Sequence, residues 1–259
     1  MTDTHELFRK MVLGGGRNAI NVDIVIVIDA TISMKTIMNM VKETAISFPE
    51  KLYGYMKSVN KSIKNLRIKV ICFRDFYYDG IDAYDETEFF ILPEEKEKYR
   101  DYVNGIHETG GGDDPESGLE ALTLAMRSDF VQEGDKKRHI IVLFTDSAAH
   151  PLEDYDSLVA EATKRGYKPL VYPANMPKSL EELFKLWEGN DVNQNAVEMD
   201  EPIKLDSVGK RLVLFAPNAY PWSDMEAELT NTIRIDIEEG QYGGELDMDC
   251  VLSCITHAI

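Results

Sequence analysis

Two apolar runs constrain this chain more than any other feature: Ile24 to Ile28, inside Val22–Ala30 (VDIVIVIDA), and Ile140 to Phe144, inside His139–Thr145 (HIIVLFT). Both have strand rather than helix length, and neither alternates with polar residues. A strand that is apolar on both faces must be covered on both faces. That is the condition of a central strand in a parallel sheet layered between helices.

The segments between these runs have the matching character. Ile37, Met40, Val41, Ala45, Phe48, Leu52 and Tyr55 recur at three- or four-residue spacing, which predicts a helix over Thr36–Ser58 with a kink at Pro49. Leu66–Phe76 (LRIKVICFRDF) reads as a second strand entering the core, Phe89–Leu92 as a short edge strand and Glu94–Ile106 as a charged surface helix. Glu116–Phe130 follows as a helix with Leu119, Leu122 and Met126 on its apolar side, and Leu152–Arg165 as another. Pro169 and Pro173 bracket Lys168–Tyr172 and make it a poor central strand, so Arg211–Ala216 is taken as the next core strand. Residues 166–209 then form an elaborated connection carrying a Leu180–Trp187 helix. The end reads as a helix over Trp222–Leu229, a strand over Thr232–Ile237 and a last helix from Asp247. The expectation is one α/β domain over residues 1–259 with its core at about 20–255. It is a doubly wound, mostly parallel six-stranded sheet with helices on both faces and one short antiparallel edge strand.

Charge narrows the function. With 28 Lys+Arg against 46 Asp+Glu, the formal net charge is −18, which argues against nucleic acid or an anionic membrane as partner. The first residues carry no apolar targeting run, and no segment approaches the roughly 18 apolar residues that span a bilayer. Cys72, Cys250 and Cys254 make no disulfide framework, so a cytoplasmic location is expected. Cys250, Cys254 and His257 share a helix face without a second ligand pair, which suits packing better than zinc.

The chemistry collects where strands end. Asp29-Ala-Thr31-Ile-Ser33 follows the first strand and sets a carboxylate and two hydroxyls on one side of a turn. Phe144-Thr-Asp146-Ser follows the clearest strand, and the loop Thr109-Gly-Gly-Gly-Asp113-Asp114-Pro-Glu116 offers further acids. Ligands of open parallel sheets bind beyond the carboxyl ends of strands. Oxygen donors of this kind select hard cations, Mg²⁺ first, with Mn²⁺ or Ca²⁺ as substitutes. Taken singly, Ser33 also reads as a helix N-cap, Asp75 as a turn residue paired with Arg74, and His150 as a solvated loop histidine. No P-loop, GxSxG elbow or HExxH motif is present.

The ordered set resembles a von Willebrand factor A domain with its metal-ion-dependent adhesion site. The resemblance covers about residues 20–255 and rests on DATIS at Asp29–Ser33, the glycine loop and the TDS at Thr145–Ser147. Phe73-Arg-Asp75, GGGDDPE at Gly110–Glu116 and TDSAAHP at Thr145–Pro151 are similar to the intracellular bacterial members, some associated with tellurium resistance. The resemblance implies a non-enzymatic, metal-dependent protein-binding module and a metal set of Asp29, Thr31, Ser33, Asp113 and Asp146. Asp114 and Thr109 are the other candidates for the position given to Asp113. Thr31 replaces the first Ser of the pattern and keeps its hydroxyl. Asp113 stands where Thr is commoner, and three carboxylates around a divalent ion leave about −1, a weaker attraction for an acidic side chain brought by a protein partner. A different class of function, metal-dependent phosphohydrolase, would use His150 as base.

Overall fold

The computed structural model describes residues 19–112, 115–153, 155–166, 172–189 and 204–236. Asp113, Asp114, residues 168–171 of the weak run and the last helix with Cys250, Cys254 and His257 lie outside them.

The elements are β1 (Ala19–Asp29), α1 (Met38–Ser58), β2 (Ser62–Phe73), β3 (Tyr84–Glu86), β4 (Phe90–Leu92), α2 (Lys96–Gly105), α3 (Gly118–Met126), β5 (Lys137–Phe144), α4 (Tyr155–Arg165), α5 (Leu180–Glu188), β6 (Lys210–Ala216), α6 (Trp222–Glu228) and β7 (Thr232–Asp236). One sheet runs β3-β2-β1-β5-β6-β7, with β4 also on β2. β1, β2, β5, β6 and β7 are parallel, while the short β3 and β4 pair antiparallel with β2. The expected doubly wound architecture is therefore present, with a seventh strand at Tyr84–Glu86.

β1 explains the layering. Along it, Ile24, Ile26 and Ile28 face one core with Val41, Phe48 and Leu52 of α1 and Val103 of α2. Val25 and Val27 face the other, with Leu119 and Leu122 of α3, Leu183 of α5 and Trp222 of α6. Successive side chains point to opposite faces, so an unbroken apolar run satisfies both cores at about 1.5–3 kcal/mol per buried aliphatic side chain. Pro49 lies within α1 without ending it.

The strand order fixes where a ligand can sit. From β1 the chain crosses to β2 on one side, while β5 lies on the other. In open parallel sheets such a reversal is where ligands bind, beyond the carboxyl ends of the two neighbours. Ile28 is in register with Phe144, so Asp29 and Thr145 stand side by side at those ends.

Candidate metal centre

Asp29 ends β1 fully buried, and hydroxyls meet its carboxylate from two directions. Thr31 donates to Oδ1 through its backbone N–H at 2.9 Å and its Oγ1 at 2.6 Å. Thr145, just past β5, donates through Oγ1 to Oδ2 at 2.7 Å. Ser33 Oγ lies 3.0 Å from Thr31 Oγ1 and donates to Asp146 Oδ1 at 2.9 Å. Side chains from the turn after β1 (loop one, Ala30–Ser33) and the loop after β5 (the third loop, Thr145–His150), 113 residues apart in sequence between Ser33 and Asp146, thus converge in one chain of oxygens. Ser33 does not cap a helix: the 3₁₀ turn Ile32–Thr36 begins after Thr31, and α1 after Ile37, neither with a side-chain cap. Its hydroxyl is available to the cluster.

The cluster has more oxygen contacts than hydroxyl protons. The contacts Asp29–Thr31, Thr31–Ser33 and Ser33–Asp146 are three, but with ionised carboxylates only the two hydroxyls bring protons. Either hydroxyl can donate to the other, so one of the three contacts is short of a proton whenever both carboxylates are ionised. A cation among these oxygens would take the place of the missing proton. Burial pushes the Asp29 carboxyl up to about 6, against the hydrogen bonds from Thr31 and Thr145, and the charge of Asp146 adds to the rise. Carboxylates with hydroxyls make a hard-oxygen donor set, and the residues present fit a divalent ion such as Mg²⁺. Among the described residues no three His, Cys, Asp or Glu side chains form a metal-holding group. The described set is hydroxyl-rich, with two carboxylates, and a third acid of the expected set falls in the undescribed 113–114 pair.

The glycine loop lies directly over loop one. Thr109 N–H donates to the Ala30 carbonyl at 2.9 Å, and Ile32 N–H to the Gly110 carbonyl at 3.4 Å. Thr109 is thereby held by its backbone. Arg74 is not the ion-pair partner expected for Asp75. Its guanidinium spreads over three carbonyls, Thr109 at 2.9 Å, His107 at 3.0 Å and Asp82 at 2.8 Å. Glu116 is buried and joined to the third loop through Glu116 N–H to Ala148 O at 3.1 Å and His150 N–H to Glu116 O at 2.9 Å.

Beside the oxygen cluster lies a buried polar layer. Asp75 and Glu120 are fully buried, and His150 is buried against the Tyr77 ring at 4.5 Å, with Nε2 3.8 Å from Asp75 Oδ1. Asp75 Oδ2, Glu120 Oε2 and His150 Nε2 have no hydrogen-bond partner among the described residues. Burial pushes the Glu120 carboxyl up to about 7, opposed in part by the hydrogen bond from Tyr172 and by His150. The sequence reading missed Thr145 as an anchor of Asp29. The only signal was a hydroxyl placed just before the acid at a strand end.

Residues 23–209 match the model of the von Willebrand factor type A domain. No curated protein matches the chain. Among solved structures, the pilus adhesin SpaC of Lactobacillus rhamnosus GG is 11% identical with a TM-score of 0.51, over 93% of this chain and 30% of its own. A von Willebrand factor type A protein from Catenulispora acidiphila is 12% identical with a TM-score of 0.48, over 92% of this chain and 43% of its own. Proximal thread matrix protein 1 of the mussel byssus, with a zinc-occupied MIDAS motif, is 11% identical with a TM-score of 0.47, over 93% of this chain and 48% of its own. This chain thus spans less than half the length of each, and at these identities the likeness is one of fold.

Proposed function

Because this chain belongs to the von Willebrand factor type A domain family, whose members are generally interaction modules rather than enzymes, we propose that it is a Mg²⁺-dependent protein-binding module. Its metal site is of the MIDAS type, and it acts as a scaffold or regulator in a cytoplasmic bacterial complex of the tellurium-resistance-associated kind. The chain acts as one von Willebrand factor A unit. The observation that carries the reading is the convergence of the Asp29, Thr31, Ser33 and Asp146 oxygens from two separate loops.

In this reading Thr31, Ser33 and Asp113 hold the ion, and Asp29 and Asp146 order its water shell. Thr145 keeps the buried Asp29 carboxylate aimed at the oxygen cluster. The bound ion supplies a Lewis-acidic position to which a partner's oxygen can bind. Ser33 lies exposed at the sheet edge, so that position faces outward. No observation favours the phosphohydrolase alternative. His150, its proposed base, is buried against Tyr77 and Asp75.

The test has two stages. Mn²⁺ titration followed by EPR should give one saturable site in the wild type that is lost in Ser33→Ala. Affinity capture with the intact chain should then recover a partner in Mg²⁺ that chelator and Ser33→Ala each release. No Ser33-dependent Mn²⁺ site would reject the metal reading. A partner indifferent to both treatments would reject the metal-dependent interaction.

A further inference from the structure

The segment Phe73-Arg-Asp75 and the turn after it are not metal ligands in the reading above, yet their side chains grip the glycine loop from the face opposite loop one. Arg74 holds the entry to that loop through the carbonyls of His107 and Thr109, and ties it to Asp82. Asp79 Oδ2 accepts the Gly111 N–H at 3.0 Å and the Asp75 N–H at 3.1 Å. Asp75 itself accepts from Tyr77 N–H at 2.7 Å, which winds the turn that presents Asp79.

The three glycines show how tightly the loop is held. A Cβ on Gly110 would lie 2.1 Å from Asp79 Oδ1, and one on Gly112 would lie 2.1 Å from the Tyr78 ring. A Cβ on Gly111 would meet Thr31 at 2.9 Å and Glu116 Oε1 at 2.8 Å. Gly110 and Gly111 also take φ of +72°, where a side chain is strained. The loop is a bare backbone ribbon clamped between the Asp75–Asp79 turn and Thr31.

We infer that Arg74 and Asp79 are positioning residues of the metal centre, fixing the glycine loop Thr109–Gly112 against Thr31. This rests on the metal reading. An ion that draws ligands from separate loops binds tightly only if those loops are already in place, since otherwise binding must supply the ordering entropy. A guanidinium suits the task because its planar fork holds several N–H donors in fixed directions, so that three carbonyls are held at set positions.

The experiment measures Mn²⁺ affinity by EPR and, in metal-free protein, amide exchange at Gly111. It uses wild type, Arg74→Met, Asp79→Ala, Asp79→Asn, Ser33→Ala and Arg67→Met. Arg74→Met and Asp79→Ala should weaken Mn²⁺ at least tenfold and speed Gly111 exchange without metal. Asp79→Asn keeps an acceptor oxygen and should stay within twofold of wild type. Arg67→Met, a destabilising change at the far end of the sheet, should lower the melting temperature and leave Mn²⁺ affinity alone. Should Arg74→Met fail to fold, the Asp79 pair decides. Unchanged affinity in Asp79→Ala would overturn the inference while leaving the metal reading intact. Equal losses in Asp79→Ala and Asp79→Asn would also overturn it, making charge rather than loop position the cause. Wild-type protein without a Ser33-dependent site would remove both.

Discussion

β1 carries two buried carboxylates six residues apart, and the chain treats them differently. Asp23, near the amino end, receives Arg67 in a two-pronged bond at 2.8 and 2.6 Å, together with Val131 N–H at 2.6 Å. Asp29, at the carboxyl end, receives only neutral donors among the described residues, from Thr31 and Thr145, and shares its surroundings with the charge of Asp146. The first end has its counter-charge built into the sequence. The second is arranged for a counter-charge from outside. A buried acid with its own arginine is structure, whereas one surrounded by hydroxyls and other acids marks a site.

The largest test of this contrast is Arg67→Met, which leaves Asp23 buried without its cation and should cost about 4 kcal/mol. Urea unfolding should give the same loss in Mg²⁺ and in chelator, since that end needs no ion. Glu120→Gln comes next. The Glu120 carboxyl is pushed up to about 7 from an ordinary 4.5, so the folded state holds a proton that the unfolded chain releases in that window. Glu120 should therefore contribute a fall in wild-type stability on the order of 3 kcal/mol as pH rises from 4.5 to 7, beside the fall that the raised Asp29 carboxyl causes up to about pH 6. Glu120→Gln should remove the part of the slope between pH 6 and 7, keep the Asp29 part below pH 6, and be the more stable protein at pH 8. If the slope between pH 6 and 7 survives, the polar layer titrates elsewhere. Mg²⁺ at a hundred times its Kd should then add about 2.7 kcal/mol to the wild type and almost nothing to Ser33→Ala. A comparable gain in both, read by thermal melting, would place the ion away from the oxygen chain. Asn21→Ala should have the smallest effect, about 1 kcal/mol and independent of metal. It removes the bonds to Asn65 Nδ2 at 2.9 Å and Glu133 O at 2.8 Å.

The central strands and their helices were legible because apolar periodicity is written locally. β1, β5 and β6 lie within a few residues of the runs that suggest them. Tyr84–Glu86 was not, since a short polar segment becomes a strand only when it lies along the exposed edge of β2. α1 begins at Met38 rather than Thr36 because the chain first winds a 3₁₀ turn where Thr31 and Ser33 are tied to carboxylates. The acids and hydroxyls of the site could be picked from their strand ends. Arg74 was misread because its partners are backbone carbonyls 33 and 35 residues onward, and carbonyls leave no mark in a sequence. Asp79 escaped for the same reason, its partner being the Gly111 amide.

By itself, the order of residues determined a layered α/β protein with acids and hydroxyls at the carboxyl ends of its strands. Local patterning requires that much: apolar runs must be buried, and polar turns must follow them. Only the tertiary structure decided that Asp29, Thr145 and Asp146 would meet while Asp23 met Arg67. Those encounters depend on β5 pairing beside β1 on the side away from β2. That long-range choice is made by the packing of two cores at once, and no window of neighbouring residues contains it.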